Sequence, residues 1–339
     1  MHTHQPLIGK TLTELQAIVS SLGMAKFTAR QIAEWIYRKQ ATDIDEMTNI
    51  SKANREKLGT SYYIGKLQPL QSVKSSDGTV KYLFPTSNGK HVETVFIPDG
   101  ERATLCVSCQ VGCKMNCVFC QTGKQGWQGD LTAADILSQV FHADYFDRLT
   151  NIVFMGQGEP LDNYDNLMKA LEILCADYGL QWSPKRITVS SVGLKKSLRR
   201  FLDESQCHLA ISMHTPIHEM RLRLMPAEQQ YPIADIVSLL REYDWTHQRR
   251  LTFEYTMFGG VNDSPLYAKE TVRLLQGLEC RVNLIRWHRI PDVGLEEAED
   301  SRMASFRDYL NNHGITTTIR ASRGQDIYAA CGLLSTKNG

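Results

Sequence analysis

Three cysteines, Cys113, Cys117 and Cys120, are so closely spaced along the chain that they are expected to share one loop. Three thiolates on one tight loop can hold three irons of a 4Fe-4S cluster, which leaves the fourth iron without a protein ligand. The alternative is zinc, but a closed zinc site needs four ligands at matched spacings. His142 and Cys109 are the candidates, and neither stands at a standard offset. The spacing therefore favours an iron–sulfur cluster with one open iron.

A second candidate site is Met155-Gly-Gln-Gly158-Glu159-Pro160, which directly follows the apolar run 152–154. The run predicts a short buried strand, so the glycines and one carboxylate stand at a strand end. Glycine permits close approach of the backbone to a ligand, and Glu159 can pair with an ammonium group. Together with the cysteine loop, the segment predicts a ligand site at the end of a strand.

The composition is that of an ordinary globular protein of 339 residues, long enough for one large domain and a smaller appendage. Hydrophobic residues make up 42%, and no apolar run approaches the roughly 20 residues that a membrane helix needs. The first residues lack the basic and apolar stretches of a secretion signal. We therefore expect no membrane association and a cytoplasmic location, where nine cysteines serve metal binding or redox catalysis more readily than structural disulfides.

The charge balance neither demands nor excludes a nucleic-acid partner, because 38 basic residues face 37 acidic ones. A phosphate backbone responds to local rather than total charge, so basic clusters are the features to consider. Each cluster could also be an ordinary solvated helix face. The clusters are Lys195, Lys196, Arg199 and Arg200; Arg221 and Arg223; and Arg249 and Arg250.

The elements that must position these residues fall into three predicted segments. Residues 1–60 predict a small helical module, in which Thr11-Leu-Thr-Glu14 resembles a capping box. Residues 61–99 alternate in hydrophobicity and contain two turn signals, at 75–78 and 87–89, which predict a β-ribbon linker. From residue 100 to 339, short apolar strands alternate with amphipathic helices. Six or seven such βα units predict an α/β fold with an open, partial (βα)6-type barrel.

An open iron can chelate the amino and carboxylate groups of S-adenosylmethionine (SAM). The Cys-x3-Cys-x2-Cys loop, the glycine-rich turn after the second strand and the βα repeat resemble the radical-SAM superfamily over residues 100–320. Further motifs look like the adenine-methylating RNA methyltransferases of the RlmN/Cfr family. These motifs are Leu105-Cys106-Val-Ser-Cys-Gln-Val-Gly-Cys113, Ile211-Ser-Met-His-Thr-Pro216, Arg323-Gly-Gln-Asp-Ile-Tyr-Ala-Ala-Cys-Gly332, Phe27-Thr-Ala-Arg-Gln-Ile32 and Ile44-Asp-Glu-Met-Thr-Asn49.

The resemblance implies two cofactors, a 4Fe-4S cluster on the three loop cysteines and SAM at the strand ends. Family members usually carry Asn where this chain has His288, whose imidazole can still form a hydrogen bond. The remaining cysteines, Cys109, Cys175, Cys207 and Cys280, are predicted to belong to the core. The SAM contacts that the resemblance implies are Gly158, Glu159, Ser190, Ser212, Met213, His214 and His288.

The resemblance also implies a covalent mechanism, because adenine C2 is an electron-poor carbon that cannot attack the SAM methyl group directly. Cys331 would accept a methyl group from one SAM, and a radical formed from a second SAM would activate that methyl group for addition to the base. Cys106 would then attack the sulfur of Cys331, form a disulfide and release the product. Glu93 would act as the general base for the C2 proton.

The implied substrates are adenosine 2503 of 23S rRNA and adenosine 37 of tRNA, with an external electron donor of the flavodoxin type. The N-terminal helices, Val111 and the turn 158–160 favour methylation at C2, whereas Arg286 and the turn 225–226 fit the Cfr-like alternative, methylation at C8. Two other classes stay open from the residues alone. One is a radical-SAM enzyme with a small-molecule substrate, and the other is a non-enzymatic iron–sulfur or zinc RNA-binding protein.

Overall fold

A computed structural model describes residues 4–142, 144–247 and 249–335. The N-terminal segment forms three helices, α1 (Leu12–Ser21), α2 (Thr28–Ala33) and α3 (Lys52–Gly59), and α2 continues as one π-helical turn, Glu34–Arg38. The predicted capping box is present, since the Thr11 amide donates to Glu14 Oε2 (2.9 Å) and the Glu14 amide to Thr11 Oγ1 (3.3 Å). Two short parallel strands, β1 (Gln5–Pro6) and β2 (Tyr62–Tyr63), join the two ends of the module.

The predicted ribbon consists of three antiparallel strands, β3 (Gln71–Lys74), β4 (Val80–Pro85) and β5 (His91–Asp99), connected by the two predicted turns. β5 pairs in turn with β6 (Arg102–Cys106), the first strand of the βα repeat. The ribbon is therefore more than a linker, because it extends the main sheet at one edge. A separate pair, β7 (Gln110–Val111) and β8 (Gly129–Asp130), flanks the cysteine loop. The segment limits 1–60, 61–99 and 100–339 stay predictions, and their outer ends lie beyond the described residues.

The main sheet has ten strands, seven of them parallel. The parallel strands are β6, β9 (Asn151–Phe154), β10 (Ile187–Ser191), β11 (His208–Ser212), β12 (Leu251–Met257), β13 (Arg281–Arg286) and β14 (Thr316–Ile319). The helices of this half are α4 (Gln121–Gln125), α5 (Ala133–Val140), α6 (Tyr164–Cys175), α7 (Lys195–Glu204), α8 (His218–Leu224), α9 (Ile233–Leu240), α10 (Pro265–Leu275) and α11 (Asp300–Asn312).

The sheet is open, because its edge strands β14 and β3 do not pair within the described ranges. The predicted α/β class and the partial (βα)6-type radical-SAM barrel are confirmed. The sequence did not predict α4 and α8, because each of these helices is too short to show helical periodicity. α5 ends at Val140, and Tyr145 beyond it stacks on Phe96 of the ribbon with ring centroids 5.4 Å apart.

The core lies on both faces of the parallel strands. All seven residues of β12 are buried, since the barrel interior covers one face and helices cover the other. Along this strand apolar residues alternate with Thr252, Glu254 and Thr256, the period-two pattern by which a strand is predicted from sequence. Among the described residues, no helix combines the length and the hydrophobicity that crossing a membrane requires.

Candidate active site

The candidate residues gather at one edge of the sheet, where the parallel strands end. Cys106 is the last residue of β6, Ser212 is the last residue of β11, and Ser190 lies one residue before the end of β10. The segments 155–160, 213–214 and 287–288 follow β9, β11 and β13 directly. Since βα barrels place their active sites at the carboxyl ends of their strands, this edge is where chemistry is expected.

The cysteine loop lies between β7 and α4. Asn116 turns the loop with a left-handed backbone (φ +49°), and the Cys120 amide donates to the Cys117 carbonyl (3.1 Å). A β-carbon on Gly123 would stand 3.0 Å from the Cys117 nitrogen, so glycine allows the following helix to pack against the loop. The three thiols lie near enough to influence one another electrostatically.

The surroundings of the loop suit a cationic partner. Burial raises the pKa of the Cys113 thiol to about 12 and the pKa of Cys117 well above its ordinary value, and neighbouring acidic groups add to both shifts. A bound metal is what converts such thiols to thiolates. Within the described ranges, no three His, Cys, Asp or Glu side chains form a ready-made metal-binding group. A set of three cysteines on one loop nevertheless has the donor chemistry of an iron–sulfur ligand set.

The packing of the turn after β9 requires a glycine at position 158. Gly158 adopts φ +100°, and a β-carbon there would lie 2.5 Å from Cβ of Gln110. The sequence suggested close approach to a ligand, whereas the close approach that the structure shows is to Gln110 of β7. The Gln110 side chain in turn accepts a hydrogen bond from the Glu159 amide (2.8 Å).

The Glu159 carboxylate is already engaged by the protein. It accepts hydrogen bonds from the backbone amides of Leu161 (3.0 Å) and Val192 (2.9 Å), which ties the end of β9 to the end of β10. Burial raises the pKa of this carboxyl group to about 7, and these hydrogen bonds oppose the shift. These two backbone amides therefore compete with the predicted ionic contact between this carboxylate and an ammonium group.

The end of β11 is fixed by His214, which has a left-handed backbone (φ +56°). Its Nδ1 accepts from the Thr256 amide (2.9 Å), and its carbonyl accepts from the Asn262 side chain (2.7 Å). Burial, and to a smaller extent Arg221, lowers the pKa of this imidazole to about 3. Its ring also meets Phe119 of the cysteine loop edge to face, with centroids 4.7 Å apart.

The other residues of the predicted SAM set differ in burial. Met213 is fully buried, whereas Ser190 and Ser212 are half-buried. His288 is buried and pairs through Nε2 with Ser322 Oγ (2.8 Å), while its Nδ1 is buried without a partner among the described residues. A buried polar atom without a partner is costly, which favours a ligand contact at Nδ1.

Cys106 and Cys331 are free thiols that tertiary structure brings together. Cys106 is half-buried, and the C-terminal segment that carries Cys331 packs on it through Ala329 and Leu334. Burial raises the pKa of Cys106 to about 12, with a contribution from Cys331, while Arg320 opposes the shift. Cys331 retains exposed surface, yet desolvation raises the pKa of its thiol as well, again opposed by Arg320.

Glu93 is buried rather than solvated on its strand, two residues before Val95, which pairs with Cys106. Its Oε1 forms an ion pair with Lys81 Nζ (2.8 Å), and its Oε2 accepts from the Ser335 amide (2.7 Å). Burial raises the pKa of the carboxyl group, while Lys81 and Ser335 oppose the shift. Lys81 also donates to the Tyr328 carbonyl (3.5 Å), so one lysine joins the ribbon, the carboxylate and the C-terminal segment.

The C-terminal segment is held at both ends. At one end Asp326 accepts from Ser75 Oγ (2.5 Å) and the Gly324 amide donates to Asp77 (2.9 Å), which anchors the segment to the ribbon turn. At the other end the Gln121 amide donates to the Gly332 carbonyl (2.8 Å), which anchors it to α4 after the cysteine loop. Cys331 therefore lies on a segment that is hydrogen-bonded to the ribbon at one end and to α4 at the other.

The sequence missed Lys81 and Arg320, because only tertiary structure shows which carboxylate or thiol a strand cation faces. The sequence left open whether the basic clusters contact phosphate or form solvated helix faces. Arg221 and Arg249 fit neither interpretation, because both are buried and their guanidinium groups donate to backbone carbonyls. Of the side chains in the other clusters, Lys195, Arg199 and Arg200 are about half exposed and take part in ion pairs with neighbouring carboxylates.

Comparison with known proteins gives consistent matches over the whole chain. Residues 5–64 match the family described as ribosomal RNA large subunit methyltransferase N-terminal domain, and residues 107–272 match the radical SAM superfamily. The probable dual-specificity RNA methyltransferase RlmN of Bacteroides thetaiotaomicron is 58% identical over 336 residues, which cover 99% of this chain and 97% of that relative. The dual-specificity RNA methyltransferase RlmN of Alcanivorax borkumensis is 41% identical, with 97% and 89% covered.

A solved structure matches the fold equally well. The crystal structure of a radical SAM methyltransferase from Sphaerobacter thermophilus superimposes with a TM-score of 0.91 at 42% sequence identity. The match covers 97% of this chain and 99% of that one. The helical module, the ribbon and the barrel thus occur together in that structure.

Proposed function

Because this chain belongs to the RlmN family of radical SAM methyltransferases, we propose that it methylates C2 of adenosine in 23S rRNA and in tRNA. The observation that carries the proposal is that one C-terminal segment brings Cys331 to Cys106, donates the Ser335 amide to Glu93 and is anchored to α4 directly after the three-cysteine loop. The relatives named above are described as dual-specificity RNA methyltransferases, which supports two RNA substrates. Their name also favours C2 over the C8 alternative.

Cys113, Cys117 and Cys120 would hold the 4Fe-4S cluster, and SAM would bind at its open iron. When bound, the cluster and SAM supply a 5'-deoxyadenosyl radical, which can remove hydrogen from a methyl group. The proposed contacts to SAM are Gly158, Glu159, Ser190, Ser212, Met213, His214 and His288. At Glu159 we propose that the backbone faces SAM, since the carboxylate already accepts two backbone amides.

The protein's own residues perform the transfer around that radical. The Cys331 thiolate would attack the methyl carbon of one SAM, displace S-adenosylhomocysteine and hold the methyl group as a thioether. After hydrogen removal, the carbon of this thioether would add to adenine C2, and loss of the C2 proton to Glu93 and of one electron to the oxidised cluster would leave a covalent enzyme–RNA adduct. The Cys106 thiolate then attacks the Cys331 sulfur, the departing carbon takes a proton, and a dithiol reductant later reduces the disulfide.

Charged side chains near the reacting thiols and carboxylate influence the pKa values of those groups. Both thiols are desolvated, so the Arg320 cation nearby favours the thiolates that the two sulfur steps require. Burial makes Glu93 a stronger base than an exposed carboxylate, and Lys81 holds it in place. The site therefore pairs each reacting group with a charge that supports its role.

We further propose an external one-electron donor of the flavodoxin type and a cytoplasmic location. All nine cysteines are free thiols, in agreement with a reducing compartment. The small-molecule and the non-enzymatic alternatives are not retained, because the chain belongs to a family of RNA-methylating enzymes over nearly its whole length.

Glu93→Gln is expected to lower formation of methyladenosine by about 100-fold or more, since general-base catalysis contributes roughly 10²–10⁴-fold. Formation of 5'-deoxyadenosine and methylation of Cys331 should continue. Single-turnover assays with RNA and mass spectrometry of the protein measure all three. The matched control is Lys81→Gln, which breaks the same ion pair but keeps the carboxyl group. Equal losses in both variants would show that the ion pair, rather than the base, is what matters.

The function itself is tested by mass spectrometry of rRNA and tRNA nucleosides from cells without this gene, before and after complementation. We expect 2-methyladenosine to disappear from both RNA classes and to return with the gene. A change confined to 8-methyladenosine would assign the C8 reaction instead. No change in either nucleoside would overturn the proposal.

A further inference from the structure

Arg221 of α8 is completely buried and uses every donor that it has. A guanidinium group carries five N–H donors. Its five partners are Met213 O (3.1 Å from Nε), Glu228 Oε2 and Tyr231 O (3.1 Å) on Nη1, and Val192 O (3.1 Å) and Ser212 O (2.8 Å) on Nη2. Three of these partners are carbonyls at the ends of β10 and β11.

Those two strand ends belong to the proposed SAM site. Ser190 lies in β10 two residues before Val192, and Ser212 and Met213 themselves accept from Arg221. The guanidinium plane therefore fixes the spacing of the two strands beyond the point where their own pairing ends, at Ser191 and Ile211.

The other end of α8 reaches the cysteine loop. The Leu224 carbonyl accepts a hydrogen bond from the Val118 amide (3.0 Å), and Val118 directly follows Cys117. One short helix thus contacts the two strand ends through Arg221 and the cysteine loop through Leu224. The two contacts are rigidly related, because they lie on the same helix, His218–Leu224.

Glu228 neutralises the buried cation from the side away from these carbonyls. Its carboxylate also accepts from the Ile233 amide (3.0 Å) and pairs with His218 Nδ1 (2.8 Å). It contributes no contact to β10 or β11. Breaking a buried ion pair from either side is destabilising, because it leaves one charge buried without its partner. Loss of stability alone therefore cannot distinguish a positioning role from a purely structural one.

We propose that Arg221 is a positioning residue that sets the ends of β10 and β11 against the cysteine loop, so that SAM is held in register with the cluster. The proposal rests on the proposed function, because it takes SAM as the ligand of these strand ends. In this arrangement Arg221 acts through the carbonyls that it holds.

The test compares Arg221→Met with Glu228→Gln in anaerobically reconstituted full-length protein. Both variants break the same ion pair, but only the first releases the carbonyls of Val192, Ser212 and Met213. We expect Arg221→Met to weaken SAM binding about tenfold or more, because the strand ends would no longer be pre-organised for the ligand. It should also reduce the change that SAM causes in the electron paramagnetic resonance spectrum of the reduced cluster. Glu228→Gln should keep SAM affinity within about twofold.

Equal SAM affinities in the two variants, measured at a temperature where both are folded, would overturn the proposal. If Arg221→Met does not fold, Arg221→Lys replaces it, since an ammonium group keeps the charge but cannot span the carbonyls with a planar fork. In that case wild-type SAM affinity in the lysine variant would overturn the proposal. Wild-type protein that binds SAM but methylates no RNA would contradict the proposed function alone, and wild-type protein that does not bind SAM would contradict both.

Discussion

Cys331→Ala is expected to produce no methyladenosine, because the methyl group then has no sulfur to carry it to the base. Cys331 lies on the segment held between the ribbon turn and α4, and alanine removes one sulfur atom without touching those backbone anchors. The cluster and the cleavage of SAM to 5'-deoxyadenosine should persist. Nucleoside mass spectrometry and iron analysis of the same preparation measure both outcomes.

Two further cysteine variants make this result specific. Cys106→Ala is expected to trap the covalent enzyme–RNA adduct, visible as a protein band of increased mass, since no thiol is left to attack Cys331. Cys175→Ala, at the end of α6, is the matched control and should methylate RNA normally. Methyladenosine formed by Cys331→Ala at a rate near that of the wild type would refute the methyl-carrier role.

Cys117→Ala has an equally large expected effect at an earlier step. It removes one of the three proposed iron ligands. The two remaining cysteines can bind only two irons, whereas the proposed cluster needs three protein ligands and leaves one iron open. We expect low iron and sulfide content after anaerobic reconstitution, loss of SAM cleavage and no methyladenosine. Metal analysis and the visible absorption spectrum report the cluster independently of RNA.

The control for this variant is Cys109→Ala. Cys109 is also buried and lies four residues before Cys113, but its thiol contacts the Gln157 carbonyl (3.6 Å) instead of belonging to the predicted ligand set. We expect its cluster content to equal that of the wild type. A Cys109→Ala protein without a cluster, or a Cys117→Ala protein with a full one, would mean that the ligands are assigned wrongly.

The parallel strands and most helices were predictable because their signals are local. β12 alternates apolar residues with Thr252, Glu254 and Thr256, and α1 starts at a capping box within four consecutive residues. The short helix α8 gave no such signal. Its sequence, His-Glu-Met-Arg-Leu-Arg-Leu, suggested a charged surface, whereas tertiary packing buries its Arg221 completely.

Within the site, too, local sequence did not indicate the contacts that tertiary packing makes. Glu159 was predicted to face an ammonium group, since a carboxylate at a strand end suggests a free charge. The structure gives that carboxylate to the amides of Leu161 and Val192, and no pattern near residue 159 indicates that partnership. Glu93 shows the reverse case, because a strand carboxylate would ordinarily be solvated, yet Lys81 and Ser335 enclose it.

By itself the sequence determined the cysteine loop, the glycine-rich turn and the order of strands and helices, because each depends on residues that are neighbours along the chain. Only the tertiary structure decided that Cys331 meets Cys106, that Ser335 binds Glu93, and that Arg221 joins two strand ends. These contacts link distant parts of the chain, and they form because folding the open sheet brings its strand ends to one edge. The type of each residue sets its chemistry, whereas the distances between the reacting groups depend on the fold.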